Sequence, residues 1–173
     1  EGFFRQKTRG AGMLKFYGYF NHGRVGFATM AADGTKSAFD TKNDNIYTNL
    51  TWAGIIAPHW KLNLGTSVGH DWNDISSSYS TGNVQPDTFL FRSSLAQFRA
   101  VATRYFGRLT VLHFGGEHQF STDFFKNNHF GKSKIEDHFT AGFAETDLYL
   151  STKLVARLGA RLENSTFLKK TNV

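Results

Sequence analysis

The sequence contains no cysteine, which excludes disulfide frameworks, thiolate metal sites and cysteine nucleophiles. It has only 2 prolines among 173 residues, and therefore no proline-rich linker. No apolar run approaches the roughly 20 residues that a transmembrane helix needs. Apolar residues also show no helical repeat over any window of about a dozen residues. The pattern that does recur is an alternation of apolar and polar residues, which is typical of β-strands.

The formal net charge of +6 permits binding to an anionic partner. However, Lys and Arg are interleaved with acidic residues, and no basic run has the length that marks a nucleic-acid-binding tail. The charge is therefore interpreted as a solubility feature, and no nucleic-acid partner is expected.

Motifs that carry chemistry are also scarce. The sequence has no glycine-rich phosphate loop, nucleophile elbow or metalloprotease motif. His113 and Glu117 share a strand face but would lie about 13 Å apart, too far to hold one ion without a third partner. Residues 40–45 offer oxygen ligands but lack the glycine and glutamate of an EF-hand loop. We predict that the chain is not an enzyme and has no cofactor and no metal.

Residues 60–73 form the clearest strand. Even positions are mostly apolar and odd positions polar, and Trp60 and Trp72 lie on the apolar side, twelve residues apart. That separation is about 40 Å along a strand, or roughly 28 Å of height at a tilt of about 45°. The outward apolar band of a transmembrane barrel is about 25 Å tall and has aromatic girdles at both edges. These dimensions favour a membrane-spanning strand.

The rest of the chain predicts about seven strands in all. The others are 13–27, 45–56, 88–105, 109–120, 138–150 and 154–163, and the mixed parity of 88–105 predicts a bulge there. Long polar loops at 31–43, 74–87 and 121–137 alternate with short turns at 57–59, 106–108 and 151–153. Outer-membrane barrels alternate short periplasmic turns and longer extracellular loops. The three long loops would then make the first extracellular contacts.

The turns also predict the register between neighbouring strands. If Ile56 faces Trp60, then Trp52 faces Leu64 and the apolar faces of the two strands coincide. The turn at 151–153 places Asp147 opposite Arg157. Glu145 should then lie diagonally between Arg157 and Arg161.

Alternation alone leaves open which face meets lipid, because a soluble ligand-binding barrel or sandwich would turn its apolar face inward. Three features favour lipid: strands of a dozen residues or more, aromatics near strand ends, and full charges on the polar face. The candidate girdle aromatics are Trp52, Trp60, Trp72, Tyr105 and Tyr149. The candidate lumen-facing residues are Lys15, Tyr17, Tyr19, Asn21, Lys61, Asn63, Asp71, Glu117, Glu145, Asp147, Arg157, Arg161 and Glu163.

Four segments also carry a family resemblance: 12–19 (GMLKFYGY), 45–52 (NIYTNLTW), 60–65 (WKLNLG) and the hairpin from 141 to 163. They resemble barrel strands of TonB-dependent outer-membrane receptors of the Bacteroidetes type. The resemblance spans roughly 10–173 and rests on barrel patterns. It implies an all-β, antiparallel, up-and-down transmembrane barrel of about 22 strands, of which residues 1–173 would form part of one domain. A plug domain and a TonB box would belong to other parts of the protein, so the chain is expected to be a fragment.

The function expected from this resemblance is uptake of a scarce nutrient across the bacterial outer membrane, by ligand capture and TonB-energised plug movement. The expected partners are outer-membrane lipid, the plug domain, the remaining barrel strands, TonB through the N-terminal part and a surface lipoprotein. The alternatives are a passive porin, a small autonomous outer-membrane barrel and a soluble ligand-binding β-barrel.

Overall fold

The computed structural model describes residues 1–8, 11–30, 32, 36–79, 87–166 and 170–172. These residues form nine β-strands. The strands are β1 (Gly2–Thr8), β2 (Gly12–Met30), β3 (Lys36–Ala57), β4 (Trp60–Tyr79), β5 (Asp87–Phe106), β6 (Thr110–Asn127), β7 (Gly131–Tyr149), β8 (Val155–Ser165) and β9 (Lys170–Asn172). The described part of the chain contains no helix long and apolar enough to cross a membrane.

All nine strands belong to one antiparallel sheet whose spatial order equals their order along the chain. This confirms the predicted all-β, up-and-down architecture. Within the described residues the sheet is open, with β1 and β9 at its edges. The strand count exceeds the predicted seven because the short β1 and β9 were not recognised.

A single sheet has no second layer to pack against, and burial reflects this. Ala141 is the only buried apolar residue among those described. Large apolar side chains such as Phe20 and Leu158 are each 62% exposed. A soluble sandwich or lipocalin-like barrel would bury such residues in its interior. The described residues therefore form a wall without a core of their own.

The predicted long loops are largely wrong. Residues 36–43, 74–79, 121–127 and 131–137 are paired in strands, and the connection between β6 and β7 is only 128–130. Residues 31, 33–35 and 80–86, which complete two of the predicted loops, lie outside the described residues. The hairpins are extended because β2 to β7 each contain 18 to 22 residues.

Two of the predicted pairings are confirmed: Trp52 lies opposite Leu64, and Asp147 lies opposite Arg157. Trp60 lies opposite Ala57 and not opposite Ile56, because the register shifts between Ile55 and Ala57. The bulge predicted in β5 is wrong, since its pairing with β4 and β6 runs without a shift.

Antiparallel partners in β1 to β8 have the same parity, apart from the shifted pair at Ala57. Side chains alternate between the two sides of a strand. We therefore call the side with even-numbered residues the even face and the other the odd face. The turn end of the sheet carries the connections at 58–59, 107–109 and 150–154, and the loop end is the opposite one.

Candidate functional site

The even face carries a band without formal charge. On β5 the band lies between Arg104 and Arg92, and its side chains there are Ala102, Ala100, Phe98, Ala96 and Ser94. The even-numbered residues that pair across the sheet with these positions, on β2, β3, β4 and β6, include no Lys, Arg, Asp or Glu. We call these residues the uncharged band. On β4 the uncharged side chains continue to Trp60 and Trp72, which lie opposite the two bounding arginines and are separated by about 28 Å of height at a tilt of about 45°.

At the same positions along the strands, the odd face carries mostly polar and charged side chains. All of the predicted lumen-facing residues are odd-numbered and therefore share this face, on five strands of one sheet. The structure brings some of them into direct contact and leaves others apart. Lys15, Lys61, Asn63 and Glu145 belong to neither of the two clusters described next.

The charged cluster lies on β5 to β8 and centres on Asp147, whose side chain is 7% exposed. Arg157 donates from Nε to Oδ1 at 2.6 Å and from Nη2 to Oδ2 at 3.0 Å. His113 Nε2 lies 3.5 Å from Asp147 Oδ2, and its Nδ1 lies 3.0 Å from the Thr103 hydroxyl. Two-point guanidinium–carboxylate bonding is the strong, oriented form of this ion pair. It holds a nearly buried carboxylate in a fixed position.

A second carboxylate, Glu117, joins the cluster from β6. Arg161 donates to both Glu117 and Glu163, and Arg99 Nε lies 3.8 Å from Glu117 Oε2. The Arg99 guanidinium also lies 5.6 Å from the centre of the Phe143 ring, within cation–π range. Glu117 thus lies between two guanidinium groups, those of Arg99 on β5 and Arg161 on β8.

The predicted position of Glu145 is confirmed, because Glu145 lies opposite Gly159, midway between Arg157 and Arg161 on β8. It forms no ion pair within 4.0 Å in the described part of the chain. Arg161 binds Glu117 instead, because Glu117 lies opposite Ala141, whose small side chain lets Arg161 and Glu117 meet over β7.

An aromatic cluster lies on the odd face of β2 and β3. The ring centroids of Tyr17, Tyr19 and Tyr47 are 5.8 to 6.5 Å apart. Towards the loop end, Asn21 and Asp71 both lie opposite Asn45 and form a polar row. Phenol and amide groups at these positions can donate and accept hydrogen bonds.

Between the two clusters lies an open depression of about 210 Å³. Its lining consists of Asn49, Thr51, Gly65, Thr66, Ser67, Gln97 and Arg99. These groups are small, polar and mostly neutral, apart from one guanidinium. Such a lining suits reversible hydrogen bonding to a polar surface or solute.

The predicted girdle aromatics fall into two sets. Trp52, Trp60 and Trp72 lie on the even face, whereas Tyr105 and Tyr149 pair with Val111 and Val155 on the odd face. The two tyrosines are adjacent to turns, but they lie on the opposite face of the sheet from the tryptophans.

Trp52 shows how the sheet accommodates an indole on the even face. A Cβ at Gly54 would lie 2.6 Å from its ring, and one at Gly12 would lie 2.9 Å from Nε1. The two glycines therefore provide the space that the ring occupies. Its Nε1 donates to Thr8 Oγ1 at 3.1 Å, which ties β3 to β1 across β2.

Arg99, Thr103, His113 and Tyr47 are cluster members that sequence reasoning did not include. The turn predicted at 106–108 lies at 107–109, and this difference displaces the β5–β6 pairing by two residues. With the observed turn, Arg99 lies opposite Glu117. The odd numbers of Arg99 and Thr103, combined with the correct turn, would have identified both residues as members of the charged cluster.

The sequence matches no family model and no curated protein. Solved structures share its fold. The chain superposes on the ferric citrate transporter FecA in its unliganded form with a TM-score of 0.70 and 8% identity, covering 93% of this chain and 26% of FecA. The TM-score is 0.64 at 11% identity for the ferric yersiniabactin uptake receptor FyuA from Yersinia pestis, covering 91% and 26% of the two chains. For the copper transporter OprC it is 0.62 at 11% identity, covering 91% and 34%.

The sheet has the antiparallel up-and-down fold of outer-membrane β-barrels. The three similar structures are TonB-dependent receptors. The chain spans between about a quarter and a third of their lengths, 26% to 34%. At these identities the likeness establishes the fold alone.

Proposed function

We propose that this chain is part of the barrel wall of an outer-membrane receptor that takes up a scarce nutrient by TonB-energised transport. The observation that carries the proposal is the uncharged band on the even face, backed on the odd face by two groups of ion-paired side chains, one around Asp147 and one around Glu117. A face without charged side chains can contact the hydrocarbon of the membrane. A face with paired charges suits a lumen that contains water or a plug domain.

The energetics support this assignment of the faces. A charge facing lipid near the bilayer midplane costs about 2–4 kcal/mol for Arg or Lys in a transmembrane barrel. The uncharged band avoids that cost on five neighbouring strands, whereas Asp147, Glu117 and Arg161 all lie on the other face. The reverse orientation would place Arg99, Glu117 and Arg161, which lie at the height of the band, in lipid.

The orientation across the membrane follows from the two ends of the sheet. At the turn end, Trp60 directly follows the 58–59 connection, so the band ends at the turn. At the loop end, β4 continues from Trp72 to Tyr79 and β2 continues to Met30. Barrels of this kind have short turns in the periplasm and long extensions outside. The loop end is therefore assigned to the cell exterior.

In this proposal the odd face contacts the plug domain or the solute, through the charged cluster, the tyrosines and the depression between them. The plug, the remaining strands, TonB and outer-membrane lipid are the partners. No bond is made or broken, so the protein acts as a transporter and not as an enzyme. The Bacteroidetes type and a surface lipoprotein partner stay predictions of the sequence resemblance.

Location and orientation can be tested with single cysteines, because the chain has none of its own. We expect Phe130→Cys, in the 128–130 turn, to react with a membrane-impermeant maleimide on intact cells. Arg108→Cys, in the 107–109 turn, should react only after the outer membrane is permeabilised. Equal labelling of both on intact cells would contradict the assignment.

Energised uptake needs a separate test in cells that produce the full-length protein. Growth on limiting nutrients, compared with and without the gene, identifies the nutrient whose uptake depends on it. We expect that advantage to disappear when TonB is inactivated. An advantage that persists without TonB would identify the protein as a passive pore.

A further inference from the structure

Beyond the uncharged band, the even face of the loop end is strongly charged. Arg92 on β5, Lys126 on β6 and Lys132 on β7 form what we call the cationic patch. Arg92 and the lysines lie one row apart, since Arg92 is opposite Phe124 and Lys126 is opposite Leu90. The patch therefore occupies the first two rows above the band.

The two lysines of the patch face each other directly. Lys126 and Lys132 are Cα partners across the β6–β7 hairpin, and like charges placed opposite on a sheet destabilise it. Within the described residues, none of the three cations lies within 4.0 Å of a carboxylate. Of the neighbouring acids, Asp123 is odd-numbered and lies on the other face, whereas Asp74 lies on the even face, opposite Leu90 and one row from Arg92. A bound anion between the two ammonium groups would offset this repulsion.

The cations on neighbouring strands are already neutralised. Arg24 Nη2 lies 2.5 Å from Asp40 Oδ2, and Lys42 Nζ lies 3.4 Å from Asp44 Oδ2. Lys134 Nζ lies 2.5 Å from Glu136 Oε1. The contrast separates the patch from its surroundings, since adjoining cations on the same face have acidic partners and these three do not.

The surroundings of Arg92 also indicate the kind of anion. Arg92 lies opposite Trp72, and together they line an open depression of about 390 Å³ whose other walls are Phe20, His22, Lys42, Asp44 and Asp74. Aromatic rings at this level mark the boundary between hydrocarbon and head groups. An anion at the patch would thus lie directly above a hydrocarbon-facing surface.

We propose that the cationic patch binds the phosphate groups of a phosphorylated glycolipid in the outer leaflet of the membrane. The proposal rests on the proposed function, because it requires the even face to meet lipid and the loop end to lie outside. A phosphate between Lys126 and Lys132 accepts hydrogen bonds from both ammonium groups and removes their repulsion. Arg92 binds a second phosphate oxygen or a second phosphate, and the acyl chains lie along the uncharged band below. Clusters of Lys and Arg at a membrane surface recognise anionic head groups in this way.

The test compares three forms of the full-length protein in phosphatidylcholine nanodiscs: wild type, Lys126→Gln/Lys132→Gln, and Arg108→Gln/Lys153→Gln. The last is a matched control that removes the same charge at the turn end. Each nanodisc sample contains either lipid A with its phosphates or dephosphorylated lipid A. Native mass spectrometry counts the lipid A molecules retained after the protein is released into detergent.

We expect wild type and the control to retain phosphorylated lipid A in preference to the dephosphorylated form. The Lys126→Gln/Lys132→Gln variant should bind it about thirty-fold more weakly. Equal retention by this variant, or equal retention of both lipids by wild type, overturns the proposal. Displacement of the lipid by millimolar inorganic phosphate also overturns it, since the site would then be one for free phosphate. Insertion is scored separately by flotation: if wild type does not enter bilayers, the proposed function fails and the patch fails with it.

Discussion

Asp147 and Arg157 show how a single contact supports the odd face. The Asp147 side chain is 7% exposed and that of Arg157 is 66% exposed, so the carboxylate depends on its partner more than the guanidinium does. Removing one member of such a pair leaves the other without compensation. His113, at 3.5 Å, is the remaining partner of the carboxylate.

We therefore predict that Arg157→Leu lowers the urea midpoint of the protein in detergent, because Asp147 loses two hydrogen bonds. Asp147→Asn/Arg157→Leu should recover part of that loss, since no charge is left unpaired. The matched control is Arg108→Leu at an exposed turn. An unchanged midpoint for Arg157→Leu would show that the Asp147 contact does not stabilise the wall.

Gly115 provides a second local test. A Cβ there would lie 2.3 Å from the Ala100 carbonyl oxygen and 3.1 Å from the Val101 Cα, and both are backbone atoms that cannot rotate away. We predict that Gly115→Ala destabilises the β5–β6 pair and lowers the urea midpoint. Gly65→Ala is the comparison, because its Cβ would meet only a Thr51 methyl at 3.7 Å. If the two variants unfold alike, the close approach of β5 and β6 at Gly115 is not maintained in the protein.

The strand β5 shows why part of the fold was missed in the sequence. Phe98 lies on the even face within the band, whereas Phe91 and Phe89 lie on the odd face above it. Within the band the apolar residues are even-numbered, whereas above it they are odd-numbered. The apolar residues therefore do not keep to one face over the 20 residues of β5. A pattern search that assumes one apolar face interprets this exchange as a bulge. It also interprets the polar strand ends as loops.

Neighbouring residues on β5 can test the two faces with one substitution. Ala96 lies on the even face near the middle of the band, and Gln97 lies on the odd face beside Ser67. We predict that Ala96→Lys costs about 2–4 kcal/mol of unfolding free energy in lipid vesicles, the cost of a lysine near the bilayer midplane. Gln97→Lys should cost much less because its ammonium group reaches a polar surface. Equal costs would be incompatible with the assigned faces.

The loop end of the β2–β3 hairpin should respond to acid. Arg24 donates hydrogen bonds to Asp40 and holds the pKa of that carboxyl below its ordinary value of 3.8. A hydrogen bond from His22 similarly lowers the pKa of Asp44. A lowered carboxyl pKa stabilises the folded state above the unfolded value, and this contribution is lost as the pH falls through the folded one.

We therefore predict faster amide hydrogen exchange in 24–30 and 36–42 once the pH falls below about 3.8, after correction for intrinsic rates. The effect should be modest, because exposed ion pairs contribute little. Asp40→Asn should show the faster exchange already at neutral pH. Protection that is equal at all pH values in wild type would show that these pairs do not secure the hairpin.

Across the whole molecule, sequence reasoning predicted the all-β class, the strand order and the pairings of Trp52 with Leu64 and Asp147 with Arg157. These follow from alternation and short turns, which are local. Contacts across several strands were harder. Arg161 reaches Glu117 over β7, and Trp52 reaches Thr8 over β2, so both depend on the register of three strands at once.

The central claim is that the even face meets lipid and the odd face meets the lumen. Because the chain has no cysteine, a nitroxide can be attached at each position from 94 to 102 of β5 in turn. The account predicts that the collision rate with oxygen, which concentrates in the bilayer, peaks at even positions such as Ala96 and Phe98. It should be low at odd positions such as Gln97 and Arg99. A profile with no two-residue period, or with its maxima at odd positions, would contradict the account.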